Sequence, residues 1–316
     1  MEFKLLSAAR PPQCCITGAS GLVGRHIYRK LLAKGYQIRV LSRNRSFFDI
    51  DAELFIGDIR DINILMRFLS GADVVFHCAA ELNDKSSMWD INVNGTKALL
   101  NAAMKVGIRR ICFLSSAGVI GACDVKWVDE YTVCSPQDDY EKSKYAAEQL
   151  VARGIPGCSI VILRPTNVID AKKPGAVGLP LRGFLTDKLK AVLKGGECAH
   201  IVHASDVADA AIYLLQFDYK HPELYFVSCD EDTLNTFAGL WSLCQSEILR
   251  ANCGIVRPIW HLPLEIPHLL RRVLRGHGNR GNVRFSSGKL RSQGFTFPLG
   301  VTGAVRCIVA DSRSCV

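Results

Sequence analysis

The chain of 316 residues is 48% hydrophobic and 22% charged, a composition that supports a large buried core and excludes a disordered protein. It contains no run of eighteen apolar residues, so we expect no membrane-spanning helix, and the stretch 1–12 lacks the apolar core of a signal peptide. Of the net charge of +9, about +8 falls from Arg257 onward, where ten basic residues face two acidic ones.

Thirteen cysteines are scattered along the chain, and several of them, including Cys14, Cys15 and Cys112, lie in apolar, strand-like runs. No C-x-x-C pair occurs, so the pattern favours buried, reduced thiols in a cytoplasmic protein over a disulfide framework. The spacing of His, Cys and Asp residues does not suggest a metal site, and we expect none.

The first 165 residues alternate short apolar strands with helical stretches. Strands are predicted at Gln13–Thr17, Gln37–Leu41, Glu53–Ile56, Asp73–His77, Arg109–Ser115 and Ser159–Leu163. Helices are predicted at Leu22–Lys34, Ile62–Leu69, Ser86–Val106 and Asp138–Arg153, and left-handed C-caps at the glycines that follow them, Gly35, Gly71, Gly107 and Gly154. The alternation predicts an α/β fold with a doubly wound parallel sheet, a Rossmann domain over residues 1–165.

A glycine-rich turn joins the first predicted strand to the first helix. Gly18 permits a tight turn, Gly21 lets the backbone approach a pyrophosphate, and Gly24 lets the helix pack close to the sheet. The helix N-terminus adds unpaired N–H groups and the positive end of its dipole. The turn therefore predicts dinucleotide binding through Gly18, Ser20, Gly21, Leu22, Val23 and Gly24.

The end of the second predicted strand indicates which dinucleotide is bound. It carries Arg43 in place of the acidic residue that would accept a hydrogen bond from a free ribose 2′-hydroxyl. A guanidinium can hold a 2′-phosphate, so NADP is favoured, with NAD as the alternative if Arg43 is only solvated. After the third strand come Asp58 and Ile59, where the carboxylate is either a partner of the adenine amino group or a plain surface acid.

Tyr140 and Lys144 are four residues apart on a predicted helix and therefore share a face. An ammonium group one turn away favours the phenolate, so Lys144 is expected to lower the pKa of Tyr140 from its ordinary value of about 10. Ser116 ends the fifth strand at the carboxyl edge of the sheet, where ligands bind in such folds. The three residues are interpreted as the catalytic group of a hydride-transfer enzyme.

These motifs resemble those of the extended short-chain dehydrogenase/reductase family, in particular its nucleotide-sugar epimerase/dehydratase branch, over about residues 13–230. The resemblance rests on the cofactor loop at 17–24, H-C-A-A at 77–80, N-V-N-G-T at 92–96, S-S-A at 115–117, Y-E-K-S-K at 140–144, R-P-T-N-V at 164–168 and H-A-S-D-V at 203–207. It implies that the second serine of the pair, Ser116, is the catalytic one. It further implies cofactor contacts from Cys78, Ala79, Ala80, Tyr140, Lys144, Pro165 and Val168, and a bracing role in the catalytic group for Asn92.

Two departures from the family pattern concern the substrate. Ile120 stands where a tyrosine is usual, and Ile169-Asp170 replaces a second Tyr-Gly pair. Neither change touches the hydride chemistry. The remaining residues, 166–316, contain a Pro- and Gly-rich loop, mixed helices and a strand at Leu224–Ser228, and are predicted to form a smaller mixed α/β substrate domain with which elements of the Rossmann core are interleaved.

Three functions stay open on the sequence. The first is epimerisation or ketone reduction at a sugar carbon of a nucleotide-diphosphate sugar. The second is NADP-dependent reduction or dehydrogenation of a hydrophobic ketone or alcohol, and the third is NADP sensing without turnover. The last is disfavoured because sensing relatives usually lack the Tyr/Lys pair. Nucleic-acid binding is not expected, peripheral membrane contact is a lesser alternative, and a homodimer is implied by resemblance alone. His77 and His203 are expected to satisfy local hydrogen bonds.

Overall fold

The computed structural model describes residues 11–45, 51–171, 179, 185–249, 259–264, 266 and 283–314. The strands are β1 (Gln13–Thr17), β2 (Gln37–Ser42), β3 (Glu53–Ile56), β4 (Val74–His77), β5 (Arg110–Leu114), β6 (Trp127–Val128), β7 (Ser159–Pro165), β8 (Asn167–Ile169), β9 (Ile201–His203), β10 (Glu223–Val227) and β11 (Arg284–Phe285). The helices are α1 (Gly24–Ala33), α2 (Ile62–Leu69), α3 (Lys85–Trp89), α4 (Gly95–Val106), α5 (Asp139–Ala152), α6 (Leu185–Lys194), α7 (Ala204–Leu214), α8 (Phe237–Leu249), α9 (Gly288–Ser292) and α10 (Gly300–Ser314).

Seven strands form one central sheet in the order β10-β7-β5-β4-β1-β2-β3. Every pairing between β3 and β7 is parallel, which confirms the doubly wound fold predicted from the alternating pattern. The strand expected at Leu224–Ser228 is β10, and it extends this sheet beside β7 instead of belonging to a separate sheet of the second half.

The chain divides into two compact units. One comprises Met1–Gly121, Cys134–Arg164 and Val207–Tyr225, and the other comprises Ala122–Val133, Pro165–Asp206 and Phe226–Val316. In the first unit, α2, α4 and α5 cover the sheet, and side chains such as Leu65, Phe68, Leu99 and Phe113 are almost fully buried. Each contributes about 1.5–3 kcal/mol of burial free energy.

The second unit contains two short parallel ladders, β6 with β11 and β8 with β9. Helix α8 packs against α6 and α10, and α10 also packs on β9. Much of the loop predicted at Ala171–Pro180 and of the basic segment through Arg275 lies outside the described residues. No described helix has both the length and the apolar character that crossing a membrane requires.

Local signals explain where the helices begin and end. Asp138 caps α5 by accepting a hydrogen bond from the Glu141 backbone N–H, and the Glu141 carboxylate reaches back to the cap, forming a capping box. The four predicted C-cap glycines all adopt positive φ. The long helix predicted at Ser86–Val106 is instead interrupted by a π-helical turn, Asp90–Asn94, between α3 and α4.

Candidate active site

The glycine-rich turn is packed tightly against the segment that follows β4. Gly18 has φ of 70°, and a Cβ added to it would lie 2.6 Å from the Ala79 backbone N. A Cβ on Gly24 would lie 2.2 Å from the Gly18 carbonyl oxygen, while the Gly21 N–H donates to that oxygen at 2.9 Å. The steric need for glycine at Gly18 and Gly24 therefore arises from neighbouring backbone, as the predicted turn requires.

This turn forms one wall of a cavity of about 340 Å³ at the carboxyl ends of β1 to β4. Among the predicted cofactor residues, the cavity is lined by Gly18, Ser20, Gly21, Arg43, Asp58, Ile59, Cys78, Ala79 and Ala80. The lining also includes residues that the sequence analysis did not single out, Thr17, Leu41, Ser42, Asn44, Gly57, Glu81 and Ile91. The glycine-rich backbone and the Arg43 cation fit a dinucleotide at this position.

Five other predicted cofactor residues of the first unit do not line the cavity: Leu22, Val23, Gly24, Tyr140 and Lys144. The Val23 side chain is buried at the start of α1, so its contribution to a cofactor site is restricted to its backbone. Pro165 and Val168 lie in the other compact unit, at the end of β7 and in β8.

Charged side chains surround the Arg43 corner of the cavity. Arg43 lies close enough to Asp58 and Glu81 to lower the pKa of both carboxyl groups. Asp58 is held mainly by Arg60, whose Nε and Nη2 donate to its two oxygens at 2.7 and 2.9 Å. Glu81 accepts three backbone N–H bonds from the turn that follows it, which keeps it ionised. The corner thus holds an exposed guanidinium opposite fixed carboxylates.

Buried His77 connects the cofactor turn to α4. One ring nitrogen pairs with the Thr17 hydroxyl at 2.8 Å and the other with the Thr96 hydroxyl at 2.9 Å. Burial, together with the nearby Lys144 charge, lowers the pKa of His77 to about 3, so the ring is neutral at physiological pH. The expectation that this histidine satisfies local hydrogen bonds is confirmed.

Tyr140 and Lys144 emerge from α5 beside the end of β5, as their spacing predicts. Ser116 accepts a hydrogen bond from the Gly118 N–H at 3.1 Å and is hydrogen-bonded to the Tyr140 hydroxyl, an interaction that lowers the pKa of Tyr140. Burial outweighs it and raises that pKa above 10 overall, with no contribution from Lys144. The predicted lowering of the Tyr140 pKa by Lys144 is therefore wrong for this ligand-free chain.

The Lys144 ammonium is buried against the carboxyl end of β5. It donates to the Leu114 carbonyl oxygen at 2.6 Å and lies 4.5 Å from the centre of the Phe113 ring. Burial lowers its pKa to about 8, and its charge is also felt at the Cys78 thiol, which lines the cavity. Lys144 is thus placed where its charge acts on the cavity wall.

The neighbouring serines have different partners. Ser115 is buried and donates to the Glu148 carboxylate at 2.6 Å, which in turn receives Arg164 Nε at 3.0 Å and Nη2 at 2.6 Å. Ser116 instead contacts Tyr140. The geometry therefore distinguishes the two serines independently of the family resemblance, and the buried Glu148–Arg164 pair is a supporting feature that the sequence analysis missed. The i, i+4, i+8 spacing of Tyr140, Lys144 and Glu148 was a signal for it.

Asn92 acts as a brace, not as a group facing the cavity. Its amide nitrogen donates to the Glu81 carbonyl and to the Ser143 hydroxyl, each at 3.0 Å, and its amide oxygen accepts from the Glu81 N–H at 2.7 Å. It sits in the π-helical turn before α4. Asn92 thus fixes the segment after β4 relative to α5, which makes it a positioning residue.

Comparisons with known proteins identify relatives over this region. The model of the NAD dependent epimerase/dehydratase family matches residues 14–228. Sterol demethylase protein B of Methylococcus capsulatus is 29% identical over 196 residues, which cover 57% of this chain and 59% of that protein. A putative UDP-glucose 4-epimerase of Methanocaldococcus jannaschii is 28% identical over 222 residues, which cover 64% of this chain and 73% of that protein.

Solved structures share this fold. UDP-glucose 4-epimerase of Thermus thermophilus in complex with NAD superposes with a TM-score of 0.69 at 24% identity, covering 96% of this chain and 100% of that one. At this identity the likeness concerns the fold alone. The chain spans about half to three-fifths of the length of several curated relatives that it matches.

Proposed function

Because the chain belongs to the NAD-dependent epimerase/dehydratase family, we propose that it moves a hydride to or from a ring-borne secondary alcohol or ketone carbon, using Ser116, Tyr140 and Lys144 with NADP. The observation that carries this proposal is the cluster itself: the Tyr140 hydroxyl lies beside Ser116, and the Lys144 ammonium lies close enough to lower the pKa of Cys78, which lines the cavity. A sensor without turnover would not need this arrangement.

The raised pKa of Tyr140 defines its role in the ligand-free protein. Its phenol is protonated at neutral pH and can donate to a substrate carbonyl oxygen, while Ser116 orients that oxygen. A bound nicotinamide supplies or accepts the hydride. In the oxidative direction Tyr140 must lose its proton, and the Lys144 ammonium is the nearby charge that would favour the phenolate once a ligand excludes water.

The corner formed by Arg43 supports NADP over NAD. Ribose-binding acids are replaced there by an exposed guanidinium, which can donate two parallel hydrogen bonds to a 2′-phosphate. Asp58 and Glu81 reduce the net positive potential of the corner, so the preference depends on Arg43 itself. An Arg43→Ala variant should weaken NADP binding by at least tenfold and leave NAD binding within about threefold, measured by calorimetry.

Arg67 is a matched control for this experiment. It is exposed on α2 of the same unit and does not line the cavity, so Arg67→Ala changes the net charge equally without removing a phosphate partner. Equal losses of NADP affinity in both variants would show that bulk charge, and not the Arg43 contact, is responsible. A wild-type preference for NAD would contradict the NADP proposal directly.

For the substrate we propose a nucleotide-diphosphate sugar. The relative from Methanocaldococcus jannaschii is named a putative UDP-glucose 4-epimerase, and oxidation at a ring carbon is the chemistry that the cluster supports. A second candidate is a hydrophobic ring alcohol or ketone. It is favoured by the sterol and putative dihydroflavonol 4-reductase relatives, the latter 32% identical.

A panel assay separates the two candidates. Purified full-length chain is incubated with NADPH or NADP and either a set of nucleotide-diphosphate sugars or a set of sterol and flavonoid ketones and alcohols, and nicotinamide absorbance and product stereochemistry are followed. Turnover confined to the sugars supports the first candidate, and turnover confined to the apolar ring compounds supports the second. Tyr140→Phe should lower turnover by at least a hundredfold while retaining NADP binding; a variant with full turnover would exclude the mechanism.

A further inference from the structure

Three potential metal ligands of different chemistry converge in the second compact unit. Cys198 precedes β9, His200 is next but one along the chain, and Asp230 follows β10 thirty residues later. The ligand atoms of the three side chains, a thiol sulfur, an imidazole nitrogen and a carboxylate oxygen, all lie within 4.8 Å of one another. Cys198 and Asp230 are buried, and the His200 side chain is 25% exposed, so an ion could enter from the histidine side.

The group is held in place by surrounding structure. Asp230 Oδ2 pairs with His200 Nδ1 at 2.5 Å and accepts the Phe285 N–H at 2.9 Å, and Asn235 donates to Oδ1 at 3.2 Å. Among the described residues His200 is the one non-glycine with positive φ, at 57°, and its ring packs edge-on against Phe285. A sparsely populated backbone conformation persists only where the surroundings fix it, so the imidazole is preorganised.

The charges at the group are unequal. The Cys198 thiol lies beside the Asp230 carboxylate, within 4.8 Å of it. Arg284 donates to the Asp230 carbonyl oxygen. With the thiol ionised, two negative ligands face one arginine, so the pocket would carry a net negative charge that a divalent cation can offset.

We propose that Cys198, His200 and Asp230 bind one zinc-class divalent ion. Sulfur, nitrogen and oxygen together match the ligand preferences of Zn²⁺ or Co²⁺, and a thiolate disfavours Mg²⁺ and Ca²⁺. Bond lengths of 2.0–2.3 Å place tetrahedral ligands about 3.5 Å apart. The His200–Asp230 hydrogen bond must therefore open by roughly 1 Å and the wider spacings close by a similar amount, which leaves a fourth position for water. The ion would tie the start of β9 to the segment after β10. This proposal does not depend on the proposed hydride chemistry.

Cobalt binding to the full-length chain, freed of metal with a chelator, tests the site. We expect Co²⁺ to produce a near-ultraviolet thiolate-to-cobalt band that saturates at one equivalent and is displaced by Zn²⁺, and Zn²⁺ to raise the thermal unfolding midpoint. Cys198→Ser should remove the band. His200→Asn should weaken binding at least tenfold, because asparagine tolerates the positive φ but supplies no imidazole.

Controls make each outcome decisive. Cys307→Ser removes an exposed thiol of the same unit and should leave the cobalt band unchanged. Circular dichroism establishes that each variant is folded; if Cys198→Ser does not fold, the partly exposed His200→Asn still tests the site. The proposal is overturned if the folded wild-type chain shows no such band, if His200→Asn binds like the wild type, or if the band follows Cys307 instead of Cys198.

Discussion

Among the four buried titratable groups described beside the cavity, Lys144 is the one whose charge changes in an accessible pH range. Its pKa is lowered to about 8, mainly by burial, whereas His77 titrates near 3, Cys78 near 12 and Tyr140 above its ordinary value of 10. A buried ammonium with a depressed pKa loses its proton as the pH rises through that value. Between pH 7 and pH 9.5, any titration of dinucleotide binding by these four groups must therefore come from Lys144.

We predict that dinucleotide affinity falls as the pH is raised through about 8. Bound anion favours the protonated lysine, so each pH unit above that value should weaken binding by up to tenfold. Calorimetric titration of NADP between pH 7 and 9.5 measures this slope. Lys144→Met, with no ammonium at any pH, should bind weakly with a flat profile; a wild-type profile that is equally flat would contradict the assignment.

Residue types and spacing could bring together the proposed catalytic group but could not predict its electrostatics. Four-residue spacing placed Tyr140 and Lys144 on one face of a helix, and the family motif selected Ser116. The sequence did not predict that burial would raise the Tyr140 pKa, because desolvation depends on side chains brought in from distant strands. It also did not predict that Ser115 donates a hydrogen bond to Glu148, because the two residues are 33 positions apart in the chain.

The cofactor turn can be tested with a matched pair of glycines. Gly18 and Gly35 have almost the same φ, 70° and 73°, but a Cβ on Gly18 would collide with the Ala79 backbone, whereas nothing lies within 4 Å of one on Gly35. Both alanine variants should lose about 1–2 kcal/mol for the left-handed conformation. We predict that only Gly18→Ala is destabilised further in urea unfolding and loses NADP binding. Equal losses would show that backbone conformation alone requires glycine.

A further prediction concerns the buried ion pair between Glu148 of α5 and Arg164. Replacing Glu148 by Gln leaves the buried Arg164 without its counter-charge, and removing one partner of a buried pair costs about 3–5 kcal/mol. The same helix carries an exposed pair, Asp139 with Lys85 at 3.5 Å, for which Asp139→Asn should cost less than about 1 kcal/mol. Urea unfolding compares the two variants; a small effect of Glu148→Gln would mean that the amide replaces the carboxylate adequately.

The elements of the first half were predictable because each strand and helix carries its own periodicity and punctuation. Gly35 and Gly107 end helices as expected, and Asp138 begins one. The π-helical turn at Asp90–Asn94 was not predictable, because its apolar residues have the spacing of a continuous helix. Asn92 within this turn donates hydrogen bonds to Glu81 and Ser143, which are contacts that the local sequence does not reveal. The three ligands proposed for a metal ion were missed because Asp230 is thirty residues from His200.

At the scale of the whole molecule, a segment distant in sequence belongs to the dinucleotide-binding unit. Residues Val207–Tyr225 cluster with Met1–Gly121 and Cys134–Arg164. Lys30 of α1 pairs with Asp209 of α7 at 2.9 Å, and buried Arg110 donates to the carbonyl oxygens of Leu215 and Phe217. We therefore propose that the dinucleotide domain is interleaved along the chain and does not end at residue 165.

Hydrogen exchange tests this interleaved division. A ligand at a hundredfold excess over its Kd stabilises the folded state by about 2.7 kcal/mol, so amides that exchange by opening of the unit that binds it should slow by about a hundredfold. With saturating NADP, we predict that residues 207–214 of α7 slow by the same factor as α4, because both belong to that unit, while α8 slows less. If these α7 residues followed α8 instead of α4, the dinucleotide domain would end before residue 207.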